Sequence, residues 1–144
     1  MSFTPDLVSA QREAKDWKEA IQLVGSLYEQ AGIATEEYTQ AMIQGVLDFG
    51  PYMVFVPGIA MPHAKATSGV LKSGTAVVTL STPVEFGSEK NDPVDFLISF
   101  ASTSTDGHME KIQELAAVLA DQDRIEKARQ ARNDDELMSV FTTE

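Results

Sequence analysis

The chain has 144 residues, with 22 Asp and Glu against 11 Lys and Arg, a net charge of −11 and a pI near 4.5. That balance argues against nucleic acid as partner, because duplex binding rests on Lys and Arg neutralising phosphates. The lack of cysteine removes disulfides, thiolate metal sites, Cys nucleophiles and iron–sulfur clusters, so any chemistry must use His, carboxylate, hydroxyl or amine.

With 43% hydrophobic residues and a length in the usual range of one domain, residues 1–144 are read as a single domain with a sizeable core. Residues 1–15 carry no basic segment leading into an apolar stretch, so no secretory signal is expected. The uncharged run 49–64 is broken by Pro51, Pro57 and Pro62 and is too short to span a bilayer. A cytoplasmic protein is expected.

Between Ser9 and Ala31 the residues Ala14, Trp17, Ile21, Val24, Leu27, Tyr28 and Ala31 recur at three- and four-residue steps, which predicts a helix with one apolar face, Ser9 as N-cap and Gly32 as its stop. A second helix is expected after Thr35, with Glu36 and Glu37 in its first turn, an end before Gly50-Pro51, and Tyr38, Met42, Val46 and Phe49 buried. Residues 52–56, 74–80 and 94–100 are short runs of β-branched and aromatic residues bounded by Gly, Pro, Ser or Asn, and read as strands. After Gly107 the spacing of Met109, Ile112, Leu115, Ala116 and Leu119 is again helical, and 121–131 is a charged helix or its continuation. Asn133 followed three residues later by Glu136 announces a last helix. Helices flanking a central strand region predict an α/β or α+β layered domain with a mixed sheet.

His63 and His108 are the two histidines, the side chains whose ordinary pKa lies near neutrality. His63 follows Pro62, whose ring fixes its own φ and biases Met61 toward extended backbone, so the approach to His63 is stiff, while Gly58 permits a turn. An imidazole presented at a sheet edge is one reading; an edge strand delimited by Pro57 and Pro62 and capped by His63 is the other. From Phe49 through Val84 there is no Asp or Glu, although an even spread would put about five there, and Lys65 and Lys72 are the charges that remain. Buried strands exclude charge too and account for part of this deficit. The window suits an approaching phosphoryl group and offers a metal ion nothing.

His108 follows the 94–100 strand at the start of a helix, where N–H groups favour anions. It either donates to a phosphate or is solvated beside an N-cap at Thr105 or Asp106. Ser102 to Thr105 either line a phosphate pocket or form a plain polar loop. Two His without Cys, not spaced i, i+4, do not make a hydrolase zinc motif, and neither a nucleotide-binding glycine loop nor a serine elbow is present.

The run Gly58-Ile59-Ala60-Met61-Pro62-His63-Ala64 resembles the active-site motif of the enzyme IIA subunits of the bacterial phosphoenolpyruvate-dependent sugar phosphotransferase system (PTS), mannitol/fructose class. The resemblance spans nearly the whole chain. Gly50-Pro51-Tyr52 through Pro57, the Lys65 after the motif and Asn91-Asp92-Pro93-Val94 look most like the ascorbate branch. It implies the PTS IIA mannitol/fructose-type fold and a phosphocarrier needing no metal or cofactor. His63 would accept a phosphoryl group from phospho-HPr and pass it to a cysteine of a IIB partner, which serves the membrane component IIC. His108 matches the second active-site histidine, expected to steady the phosphate, with Lys65, Gly58, Ser102 and Thr103 as further phosphate-binding positions. Relatives of the mannitol and fructose types place an Arg upstream of the motif, whereas Glu36 to Pro62 holds neither Arg nor Lys. A regulatory module of the same fold, controlled by phosphorylation, is the alternative, and a non-catalytic interaction domain a third reading. A homodimer is left open.

Overall fold

The computed structural model describes residues 5–54, 56–65 and 68–142; the side chains of Thr105, Asp106, His108 and Thr142 lie outside the description. Strand β1 (Val8–Arg12) follows a short 3-10 turn, helices α1 (Trp17–Gln30) and α2 (Glu36–Phe49) come next, and β2 (Ile59–Ala60), β3 (Gly74–Val84) and β4 (Val94–Ala101) complete the sheet. Helices α3 (Thr105–Ala120), α4 (Gln122–Gln130) and α5 (Asp134–Thr142) follow.

The sheet has four strands in the order β1-β3-β4-β2, with β1 parallel to β3, β3 antiparallel to β4 and β2 parallel to β4. It is the mixed sheet that the composition of the elements predicts. Central strand β3 is buried on both faces from Thr75 to Leu80, which is why its apolar residues run without alternation. Ala76, Val78, Leu97 and Ala101 pack with α1 and α2, while Val77, Phe96, Ile98 and Phe100 pack with α3, α4 and α5, so the domain is a three-layer sandwich of helices, sheet and helices.

Several boundaries differ from the sequence reading. Ser9 is not a helix cap: it lies in β1, and α1 starts seven residues beyond Ser9's neighbour Ala10, at Trp17, with the Asp16 carboxylate accepting from Glu19 N–H at 2.9 Å. Residues 52–56 are not a strand. Tyr52 N–H donates to Gly50 O and Val54 N–H to Pro51 O, so Pro51 and the positive φ of Gly50 (78°) turn the chain, and Met53 and Val54 are apolar because the turn itself is buried. Phe55 lies outside the described residues. Helix α2 spans the expected residues and buries Tyr38, Met42 and Val46, but Phe49 is 78% exposed, because its last turn has run past the core. Helix α3 begins earlier than predicted: Ser104, not Thr105 or Asp106, is its N-cap, accepting from Gly107 N–H at 3.0 Å.

Candidate functional site

Parallel strands β2 and β4 release the chain at the same end of the sheet, so the segment holding His63 and the loop leading into α3 meet there. Phe100, near the end of β4, lies flat against the imidazole of His63, with ring centroids 5.0 Å apart and planes 19° from parallel. Tyr52 meets the same imidazole edge-on, at 5.7 Å and 81°. His63 is half-buried and held between two aromatic rings.

The backbone of this segment is secured by side chains. His63 Nδ1 lies 2.7 Å from Met61 O. A carbonyl oxygen only accepts, so Nδ1 carries the proton and Nε2 the lone pair of the neutral ring. Ser99 Oγ donates to Pro62 O at 2.6 Å, and Tyr28 Oη donates in turn to Ser99 Oγ at 2.9 Å. Tyr52 Oη donates to His63 O at 3.1 Å. Tyr38 Oη donates to Phe100 O at 2.7 Å and accepts from Ala64 N–H at 3.1 Å, tying the residue after the histidine to the strand under its ring. Burial raises the pKa of Tyr28, Tyr38 and Tyr52 above the ordinary phenol value, so these hydroxyls keep their protons.

A cleft of about 540 Å³ opens beside His63, between α2 and residues 63–65 and 68. Its helix wall is Ala41, Gln44, Gly45 and Asp48, and Phe49, Tyr52, Ala64, Lys65 and Ser68 complete it. Residues 41, 44, 45 and 48 share one face of α2. Their presence alters the charge picture: the carboxylate-free stretch 49–84 begins one residue after Asp48, and the fold brings that carboxylate back to the cleft. Asp48 accepts from Gln44 Nε2 at 2.8 Å.

Of the residues singled out from sequence, His63 and Lys65 share the cleft. Lys72 does not; its N–H donates to Ile33 O on the other side of the 68–72 turn. Gly58 stands before β2, on the far side of that strand from His63, with φ at 77° and Arg129 packed where a Cβ would be; Arg129 pairs with Asp95 at 3.0 Å. Its glycine is thus demanded by backbone and packing. Ser102 is buried and its Oγ donates to Ser104 O at 3.0 Å, folding the turn into α3, while Thr103 is exposed. His108 lies in the first turn of α3 and its side chain is outside the described residues. The sequence reading gave no site role to Tyr52, Tyr38, Ser99, Phe100 or Asp48, although it placed Tyr38 on the buried face of its helix. One local signal existed: Gly45, inside a helix, leaves room for Tyr52, whose Oη lies 2.8 Å from where a Cβ would stand.

Among the described residues no group of three His, Cys, Asp or Glu could hold a metal ion, and no helix is long and apolar enough to cross a membrane. The family model for the phosphoenolpyruvate-dependent sugar phosphotransferase system, EIIA 2, matches residues 1–144. The ascorbate-specific PTS system EIIA component of Escherichia coli K12 is 37% identical over 135 residues, covering 93% of this chain and 88% of that protein. The solution structure of the E. coli mannitol-specific cryptic phosphotransferase enzyme IIA superposes with a TM-score of 0.85 at 29% identity, over 96% of this chain and 92% of the other. The enzyme IIA of the E. coli complex between mannitol IIA and phosphorylated mannitol IIB does so with a TM-score of 0.83 at 25% identity, over 98% and 97%.

Proposed function

The chain belongs to the EIIA type 2 family of the phosphoenolpyruvate-dependent sugar phosphotransferase system, and from that premise we propose that it carries a phosphoryl group on Nε2 of His63, taken from phospho-HPr and delivered to a IIB component of the ascorbate class. One observation carries the chemistry: the Nδ1 proton is committed to Met61 O, which leaves the Nε2 lone pair as nucleophile. As the P–Nε2 bond forms, the donor's bond to phosphorus breaks and its electron pair stays with the donor; the Nδ1 proton remains on the ring throughout. In the second step a cysteine thiolate of IIB displaces Nε2, and the ring returns to its neutral form.

Because the transition state is loose, the protein contributes positioning and charge stabilisation. Lys65 is the cation among the described cleft residues and is assigned to the equatorial oxygens, with His108 and the first turn of α3 steadying the phosphate from the other side. Ser102 and Thr103 shape that turn. The ascorbate class is supported by the relative at 37% identity.

Incubation with labelled phosphoenolpyruvate, enzyme I and HPr tests the proposal. Wild type takes up acid-labile, alkali-stable label and His63→Ala does not; label surviving that substitution overturns it. His108→Ala keeps its label but hands it on more slowly, and an unchanged rate removes the role given to His108. Offered ascorbate-class and mannitol-class IIB side by side, the phosphorylated protein discharges faster to the former.

A further inference from the structure

Phosphoryl transfer through a single imidazole depends on where that ring points, and the ring of a histidine turns about two bonds. Phe100 covers one side of His63. A second ring contact is Tyr52, which touches the histidine twice: its ring meets the imidazole edge-on at 5.7 Å, and its hydroxyl holds the histidine's own carbonyl at 3.1 Å. Tyr52 is itself held by what lies around it. Gly45 on α2 leaves the space its hydroxyl fills, the turn 50–54 fixes its backbone, and the ring of Phe49 stands against it edge-on at 6.4 Å. Burial keeps the phenol protonated, so the hydroxyl stays a donor over the working pH range.

Resting on the phosphocarrier reading above, we infer that Tyr52 is a positioning residue of His63: it confines the imidazole between itself and Phe100 so that Nε2 faces the cleft along the line of attack. A packing residue on the surface contributes only stability. A positioning residue alters the rate within the bound complex, since a displacement of about 1 Å can cost on the order of 10²-fold.

Three variants test this. Tyr52→Phe keeps the ring and removes the bond to His63 O; Tyr52→Leu removes both; Gly45→Ala leaves Tyr52 in the chain but places a methyl against its hydroxyl. Each is charged by phospho-HPr in single-turnover experiments over a range of donor concentrations, and the His63 imidazole is observed by ¹H–¹⁵N NMR without any donor. The expected maximal rate falls about 5-fold in Tyr52→Phe and Gly45→Ala and about 50-fold in Tyr52→Leu, with the half-saturating concentration within about 2-fold of wild type. The imidazole signals shift and broaden in the same order, and the thermal midpoint of Gly45→Ala does not drop, because Ala favours the helix. Unchanged imidazole signals, or a rate loss lying wholly in the half-saturating concentration, overturn the inference. If wild type itself takes no label, the phosphocarrier reading falls, and the NMR comparison still decides whether Tyr52 orients the ring.

Discussion

Ser99→Ala removes one oxygen at the centre of the site's support. Ser99 is fully buried in β4; its hydroxyl donates to Pro62 O at 2.6 Å and accepts from Tyr28 Oη at 2.9 Å. Tyr28 and Pro62 are buried as well. The substitution therefore strands a phenol proton and a carbonyl oxygen where water does not reach, each at about 1–3 kcal/mol, and the expected loss is about 2–6 kcal/mol. Tyr28→Phe is milder, about 1 kcal/mol, because Ser99 still donates to Pro62 O. In the double variant the stranded phenol is gone, so the combined loss is smaller than the sum by about 1–2 kcal/mol. Urea unfolding followed through Trp17, the sole tryptophan, measures all four corners, and the thermal midpoint of Ser99→Ala should fall by about 3 °C for each kcal/mol. A loss under about 0.5 kcal/mol, or strict additivity with Tyr28→Phe, refutes the hydrogen-bonded chain as the source of stability.

Asp92 accepts from the backbone N–H groups of Phe86, Gly87 and Ser88 at 2.8–3.1 Å, and the neighbouring Asn91 amide donates to Val54 O at 2.9 Å. Asp92→Ala should cost about 2 kcal/mol and abolish hydrogen-exchange protection at 86–88; retained protection refutes the assignment. At the other end of the chain, the N–H and then the guanidinium of Arg132 lower the pKa of Glu136 below its ordinary 4.5. A depressed folded-state pKa gives support that is present above the ordinary carboxylate range and is lost as pH falls through the lower value. A carboxyl titration by NMR should therefore place the Glu136 midpoint below 4.5, with the first turn of α5 loosening only beneath it; a midpoint at or above the ordinary value contradicts the capping arrangement.

The readable parts of the fold were those whose signals are local. Helix α2 carries a periodic stripe between two acidic first-turn residues and a positive-φ glycine, and the Asn133 cap of α5 appears as predicted, with Glu136 N–H donating to Asn133 Oδ1 at 2.9 Å. Strand β1 was hidden because Val8 and Ala10 merge with the helical stripe that follows, and because its irregularity uses Gln11 at φ 53° instead of a glycine. Strand β2 has two residues, too few for any period. In the site, His63 stood out through the prolines and glycine before it. Its supports did not, since Tyr28 and Ser99 are 71 residues apart and Tyr38 and Phe100 are 62 apart. Only the packing of α1 and α2 on the sheet brings such pairs together.

The accounting of backbone groups around His63 explains why these supports are hydroxyls. After two paired residues the chain leaves edge strand β2, and from Met61 to Ala64 no strand among the described residues answers its carbonyls or the Ala64 N–H. Buried backbone groups must still be paired. The answers come from Ser99 on β4, Tyr38 on α2, Tyr52 in the turn and the imidazole itself. Short hydroxyls hold the backbone from behind and leave the front of the ring toward the cleft. This divides the supports by burial. Ser99 and Tyr38 belong to the core, so their loss lowers stability and transfer rate together. Tyr52, 40% exposed, buries less of its surface than Ser99 or Tyr38, so its loss falls mainly on the rate at which a correctly docked partner exchanges its phosphoryl group.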